Sequence, residues 1–234
     1  MARHTISHAS DLYSGDAQYN AANSSKRGIP MSQLLKVSLG TPIVADPDGI
    51  CASQAVAGAA DLTIDGALAS GGAVTLDVPR TLVVDADGAA TAVLTITGTD
   101  AYGEALVENI TLNGTTAVVG LKAFKTITTV ASSAATTGNV FVGTEDTLGL
   151  PYRVDAGGLV MAWTDSTLDL TSSAVLGTFV PAVTTDPATA ITGDVRGTYN
   201  PVGTLDGSAE IQVLIQVASV ATKNGAYGVD QYGG

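Results

Sequence analysis

GAATAVLTITGTDAYGEALVENITLNGTTAVVGLKAFKTITTVASSAATTGNVFVGT, residues 88–144, is the stretch whose reading decides the fold. Successive side chains of a strand point to opposite faces, so a strand buried on one side must alternate. Residues 91–97 do so, with Ala92, Leu94 and Ile96 on one face and Thr91, Val93, Thr95 and Thr97 on the other. After the polar turn 99–103, residues 105–112 place Leu106, Ile110 and Leu112 on one face, interrupted by Glu108. Asn113-Gly114 follows, and because both residues tolerate positive φ the pair predicts a hairpin with a type I′ turn. A strand rich in β-branched residues at 124–130 comes next, and Gly138-Asn139 turns the chain into Val140-Phe141-Val142.

Working outward, residues 32–44 read as strand, Gly-Thr-Pro turn and strand, and Asp46-Pro47-Asp48-Gly49 reads as a turn. The Ala-rich stretch 50–69 is open between a helical turn and a strand at 54–60, with Leu62-Thr63-Ile64 as a strand entering Asp65-Gly66. Val74, Leu76 and Val78 share a face, Pro79 signals an edge or strand end, and 81–84 resumes the strand. On the other side, Gly149, Pro151, Gly157 and Gly158 interrupt the periodicity and suggest a boundary at 148–158. Strands are expected at 159–163, 175–180 and 210–220, the last placing Ile211, Val213, Ile215 and Val217 on one face. The turn-dense 193–207, with Arg196, Tyr199 and Pro201, reads as a surface loop. The expected organisation is an extended N-terminal arm (1–32), a β domain holding the central hairpins (33–147), a second β region or an extension of the first (148–222), and a flexible tail (223–234) carrying Tyr227 and Tyr232. The fold class is all-β, with a sandwich or Ig-like hairpin domain at 73–147.

Composition narrows the function. Of 234 residues 45% are hydrophobic but only 5% aromatic, so the core rests on Val, Ala, Leu and Ile. A net charge of −12 argues against nucleic-acid binding, which needs clustered Lys and Arg to neutralise phosphates. The charge is uneven: through residue 40, Arg3, Lys26, Arg27 and Lys36 outweigh Asp11 and Asp16. Cys51 is the single cysteine, so no intrachain disulfide forms, and it reads as a small buried residue. The opening MARHTISHAS lacks the apolar region of a signal peptide, and no run is long enough to span a membrane, so the expectation is a cytoplasmically made protein without a membrane partner.

Sites for chemistry are sparse. His4 and His8 are four apart but lack a third ligand, and Asp46-x-Asp48-Gly49 and Asp85-x-Asp87-Gly88 begin like calcium loops without the bidentate Glu that completes one. The reading is no metal, no cofactor and no catalytic residue, hence no enzyme. Trp163, the one Trp, reads as a core or interface residue, against the alternative of a sugar-stacking platform in a receptor- or carbohydrate-binding module.

The strings TGTD-x-x-G at 97–103, E-x-I-x-L-N-G-T at 108–115, K-A-F-K-x-I at 122–127, G-N-V-x-V-G-T at 138–144 and L-G-L-P at 148–151 resemble virion structural proteins of tailed bacteriophages, most of all capsid decoration proteins. A weaker echo lies at 193–201. The resemblance implies a virion protein, synthesised in the host cytoplasm, that binds the major capsid protein on the outer head surface and associates with itself, as a trimer. On that expectation Arg3, Lys26 and Arg27 are the capsid-contact residues. A tail or head-to-tail component is the alternative within the virion.

Overall fold

The computed structural model describes residues 33–168, 177–203, 205–217 and 226–233. The protein is all-β, its large antiparallel sheet curled in the manner of a β-sandwich. In chain order the strands are β1 (Gln33–Gly40), β2 (Cys51–Ala55), β3 (Ala60–Asp61), β4 (Ala69–Ser70), β5 (Ala73–Ala86), β6 (Val93–Thr99), β7 (Ala105–Thr111) and β8 (Val118–Val119). They continue as β9 (Phe124–Ser132), β10 (Asn139–Gly149), β11 (Leu159–Thr164), β12 (Thr167–Leu168), β13 (Thr178–Pro181), β14 (Gly197–Asn200) and β15 (Ile211–Val217). The larger sheet runs β13-β14-β10-β5-β9-β6-β7, with β2 on β10, β3 on β9, and β4 and β8 on β5. The smaller sheet runs β1-β15-β11-β12. The ambiguous stretch at 54–60 holds no helical turn: it ends β2 at Ala55, bends through 56–59 and starts β3 at Ala60.

The alternation read from the sequence is the alternation of burial. Ala92, Leu94 and Ile96 are buried, as are Leu106, Glu108, Ile110 and Leu112 opposite them, and the β6–β7 register pairs Leu94 with Ile110 and Ile96 with Glu108. The turn after β7 differs in detail from the expected one. Asn113 bridges Thr116, so Gly114 and Thr115 are the central residues, and only Gly114 has positive φ (62°), the type II′ pattern.

Pro79 does not end a strand. β5 runs fourteen residues through it, and the register slips on both sides, between Thr75 and Arg80 against β9 and between Thr144 and Leu148 on β10. A proline lacks the N–H a ladder needs, and a bulge is where that lack is tolerated. At the bulge Val78 turns toward a second core, while the strand on either side stays with the first. Val74, Leu76, Leu82, Val84, Phe124, Ile127, Val140 and Val142 belong to the first, whereas Val78 and Leu148 join Leu150, Val154, Ile211, Val213, Ile215 and Tyr199 in the second.

Two segments expected at the surface are packed inside. Within 193–207, residues 197–200 form β14, Tyr199 is fully buried against Leu148 and Phe179 as cross-strand partners, and Arg196 is 3% exposed. The C-terminal residues 226–233 pack against the body: Val229 lies with Ala188 and Val195, and Gly228 (φ 86°) is so close to the Val195 carbonyl that a side chain there would collide. The carbonyls of Tyr232 and Ala190 accept the Val107 and Asn109 amides of β7, which covers the open edge of the larger sheet.

Candidate functional site: an outward apolar face and a buried polar seam

The four-stranded sheet buries one face. Val37, Leu39, Leu159, Ala162 and the alternate residues of β15 fill the second core. Cross-strand partners share a face, so the register defines two rows on the other side: Lys36, Leu214 and Met161, then Ser38, Gln212, Trp163 and Leu168. Leu34, opposite Gln216, is 64% exposed, and Leu168 is also exposed. Trp163 is half-buried on this outer face rather than in the core, with the Lys36 ammonium 4.6 Å from its ring centroid. Glu210 closes one end, accepting bonds from Ser38 Oγ (2.7 Å) and Gln212 Nε2 (2.9 Å), which hold its carboxyl below the usual range. The result is a sheet face with Leu34, Met161, Trp163, Leu168 and Leu214 turned outward on an acidic protein. Its edge strand β1 begins where the segment carrying Arg3, Lys26 and Arg27 ends in sequence; those three residues, with His4 and His8, lie outside the described residues.

The second feature is internal. Asp100, Glu108, Lys122, Asp194 and Arg196 are all 3% exposed or less. Asp100 receives Arg196 Nη2 at 2.7 Å on one oxygen and the amides of Tyr102 and Glu104 on the other, so the β6–β7 turn is fastened to a residue 96 positions away. Glu108 accepts the amides of Leu121 (2.5 Å) and Lys122 (3.4 Å), and burial outweighs those bonds and pushes its carboxyl up to about 7. Asp194 accepts the amides of Ala123 (3.0 Å), Arg196 (2.8 Å) and Gly197 (3.2 Å). Among the described residues Lys122 Nζ is buried without a hydrogen-bond partner, and burial pulls its pKa down. The apolar periodicity marks Glu108 only as an interruption, and nothing local in the sequence joins it to Lys122 or Asp194.

Beside Arg196 of the seam lies a cleft of about 240 Å³ lined by Tyr102, Glu104, Arg196 and Tyr227. Tyr227 meets Tyr102 edge-on at 5.4 Å and Tyr152 at 5.7 Å, and the Arg196 guanidinium stands 5.1 Å from the Tyr102 ring. The Tyr102 hydroxyl donates to the Pro151 carbonyl at 2.6 Å.

The calcium-like sequences act as turn caps. The Asp46 carbonyl accepts the amides of Gly49 and Thr144, and the Asp87 carboxylate accepts that of Asn139. Among the described residues no three His, Cys, Asp or Glu are grouped to hold a metal. Cys51 is fully buried in the first core, where desolvation pushes its thiol up to about 12 and keeps it protonated. Compared with protein-family models, curated proteins and solved structures, the chain matches none significantly.

Proposed function

We propose that this chain is a non-enzymatic structural protein of a tailed-bacteriophage virion that binds the outer capsid surface and decorates or stabilises the head, as a homotrimer. The observation that carries the reading is the outer face of the four-stranded sheet, an apolar patch next to the point where the basic N-terminal sequence joins the body. Among the described residues the buried cations Arg80, Lys122 and Arg196 are matched by the buried acids Asp100, Glu108 and Asp194, so the acidic balance of the sequence is carried by the exterior. The division of labour follows: Leu34, Trp163 and their neighbours lie against the capsid lattice, Arg3, Lys26 and Arg27 extend the grip to a neighbouring capsomer, and the acidic remainder faces solvent. Several modest contacts per trimer then add through effective concentration.

The test is co-sedimentation of the purified protein with capsids that lack it, followed by imaging of the shell. Density at fixed lattice positions supports the proposal. Binding to tails instead moves the assignment to a tail or head-to-tail component. The tyrosine-lined cleft favours a second reading, a receptor- or carbohydrate-binding module. Glycan-dependent binding that disappears in Tyr227→Ala is the outcome specific to it.

A further inference from the structure

A lysine ammonium sealed inside a protein without a carboxylate or water to solvate it is costly by several kcal/mol, and buried lysines are ordinarily ion-paired or neutral. Lys122 is fully buried, and among the described residues its Nζ has no hydrogen-bond partner. Two buried carboxyl groups nevertheless flank its backbone, Glu108 on the amides of Leu121 and Lys122 and Asp194 on the amide of Ala123. With Asp194 Oδ2 3.0 Å from the nitrogen that follows Lys122, the carboxyl lies within about 5.5 Å of the Lys122 Cα, inside the span of a four-carbon side chain.

We propose that Lys122 and Asp194 are joined by an intramolecular isopeptide bond, with Glu108 as the acid–base group that forms it. Burial disfavours every charge at the site, so Lys122 is held toward its nucleophilic neutral amine and Glu108 toward its protonated form. Nζ adds to Cγ of the Asp194 carboxylate and forms the N–C bond while Glu108 gives its proton to Oδ2. The oxygen that stays, Oδ1, is already held by the amides of Arg196 (2.8 Å) and Gly197 (3.2 Å), which stabilise the oxyanion of the tetrahedral intermediate. Glu108, now a carboxylate, takes a proton from the nitrogen and returns it to the Oδ2 hydroxyl. The Cγ–Oδ2 bond breaks and one water leaves, with no oxidant or other reactant. The product ties the segment before β9 to the segment before β14, and once the Glu108 carboxylate regains a proton from solvent a neutral amide stands in place of the amine and the buried Asp194 carboxylate.

The experiment is the intact mass of the full chain after denaturation, followed by proteolysis and fragment sequencing. The wild type is expected one water lighter than its sequence, with a branched peptide joining Lys122 to Asp194, while Glu108→Gln and Asp194→Ala have the full mass. The wild-type mass is read on unfolded chains, so the test stands whether or not either variant folds. Wild type at full mass, or a lost water that maps to a succinimide at an Asp-Gly pair such as Asp206-Gly207, overturns the proposal.

Discussion

The outer face of the four-stranded sheet and the seam between β7 and β14 depart from the usual distribution of side chains in opposite senses. One turns Leu34, Met161, Trp163 and Leu214 away from the core, and the other places Asp100, Glu108, Lys122, Asp194 and Arg196 inside it. In the seam the carboxylates are met by backbone amides and by Arg196, all from the same chain. On the face Lys36 lies over the Trp163 ring and Glu210 accepts from Ser38 and Gln212, while Leu34 and Leu168 stay exposed. Buried charge of this kind holds distant segments in register, whereas an apolar sheet face calls for something outside the body to cover it.

Breaking the seam has the largest expected effect. Asp100→Ala leaves Arg196 buried and unpaired, and the expected loss is about 3–5 kcal/mol, read from urea unfolding. Leu94→Ala, in the apolar first core, is expected to lose about 2–5 kcal/mol through transfer and cavity terms, with no dependence on pH. The pH profile separates the two regions further. Glu108 holds its proton more tightly in the folded state than in the unfolded one, where a glutamate titrates near about 4.3. Its contribution is therefore fully present below that value and is lost as pH rises toward about 7, a fall of about 4 kcal/mol at most. Unfolding curves from pH 5 to 8 are expected to show this fall in the wild type and not in Glu108→Gln. The smallest stability change is expected for Trp163→Ala on the outer face, about 1 kcal/mol, because the ring is only half-buried.

How much of the molecule is legible in the sequence follows from range. Leu94, Ile96, Ile110, Ile211, Val213 and Ile215 are identifiable because a half-buried strand writes its burial into alternate positions of the sequence. Glu108 sits in that alternation, so its burial can be inferred, but not its partners: the Leu121 and Lys122 amides come from the segment after the next turn, and Asp194 from the segment before β14. The tyrosine cleft is hidden for the same reason, since Tyr102, Tyr152 and Tyr227 are scattered along the chain and meet only once the C-terminal residues dock. At Pro79 local chemistry argues for a break, and the long-range pairing of β5 with β9 and β10 overrides it by a bulge. Glycine-rich composition suggests a loose tail, whereas Gly228 supplies the close approach to Val195 that lets the tail pack.

If the outer face of the four-stranded sheet is the side that meets the capsid, removing its one large aromatic must weaken binding while a change elsewhere on the body must not. Occupancy on capsids lacking the protein, measured for the wild type, Trp163→Ala and Val119→Ser, decides between these outcomes, the last variant removing an exposed apolar side chain on β8 of the larger sheet. Equal occupancy is expected for wild type and Val119→Ser, with binding weaker by about tenfold or more, about 1.4 kcal/mol, for Trp163→Ala. Equal occupancy for all three, or none for the wild type, would contradict the assignment of that face to the capsid.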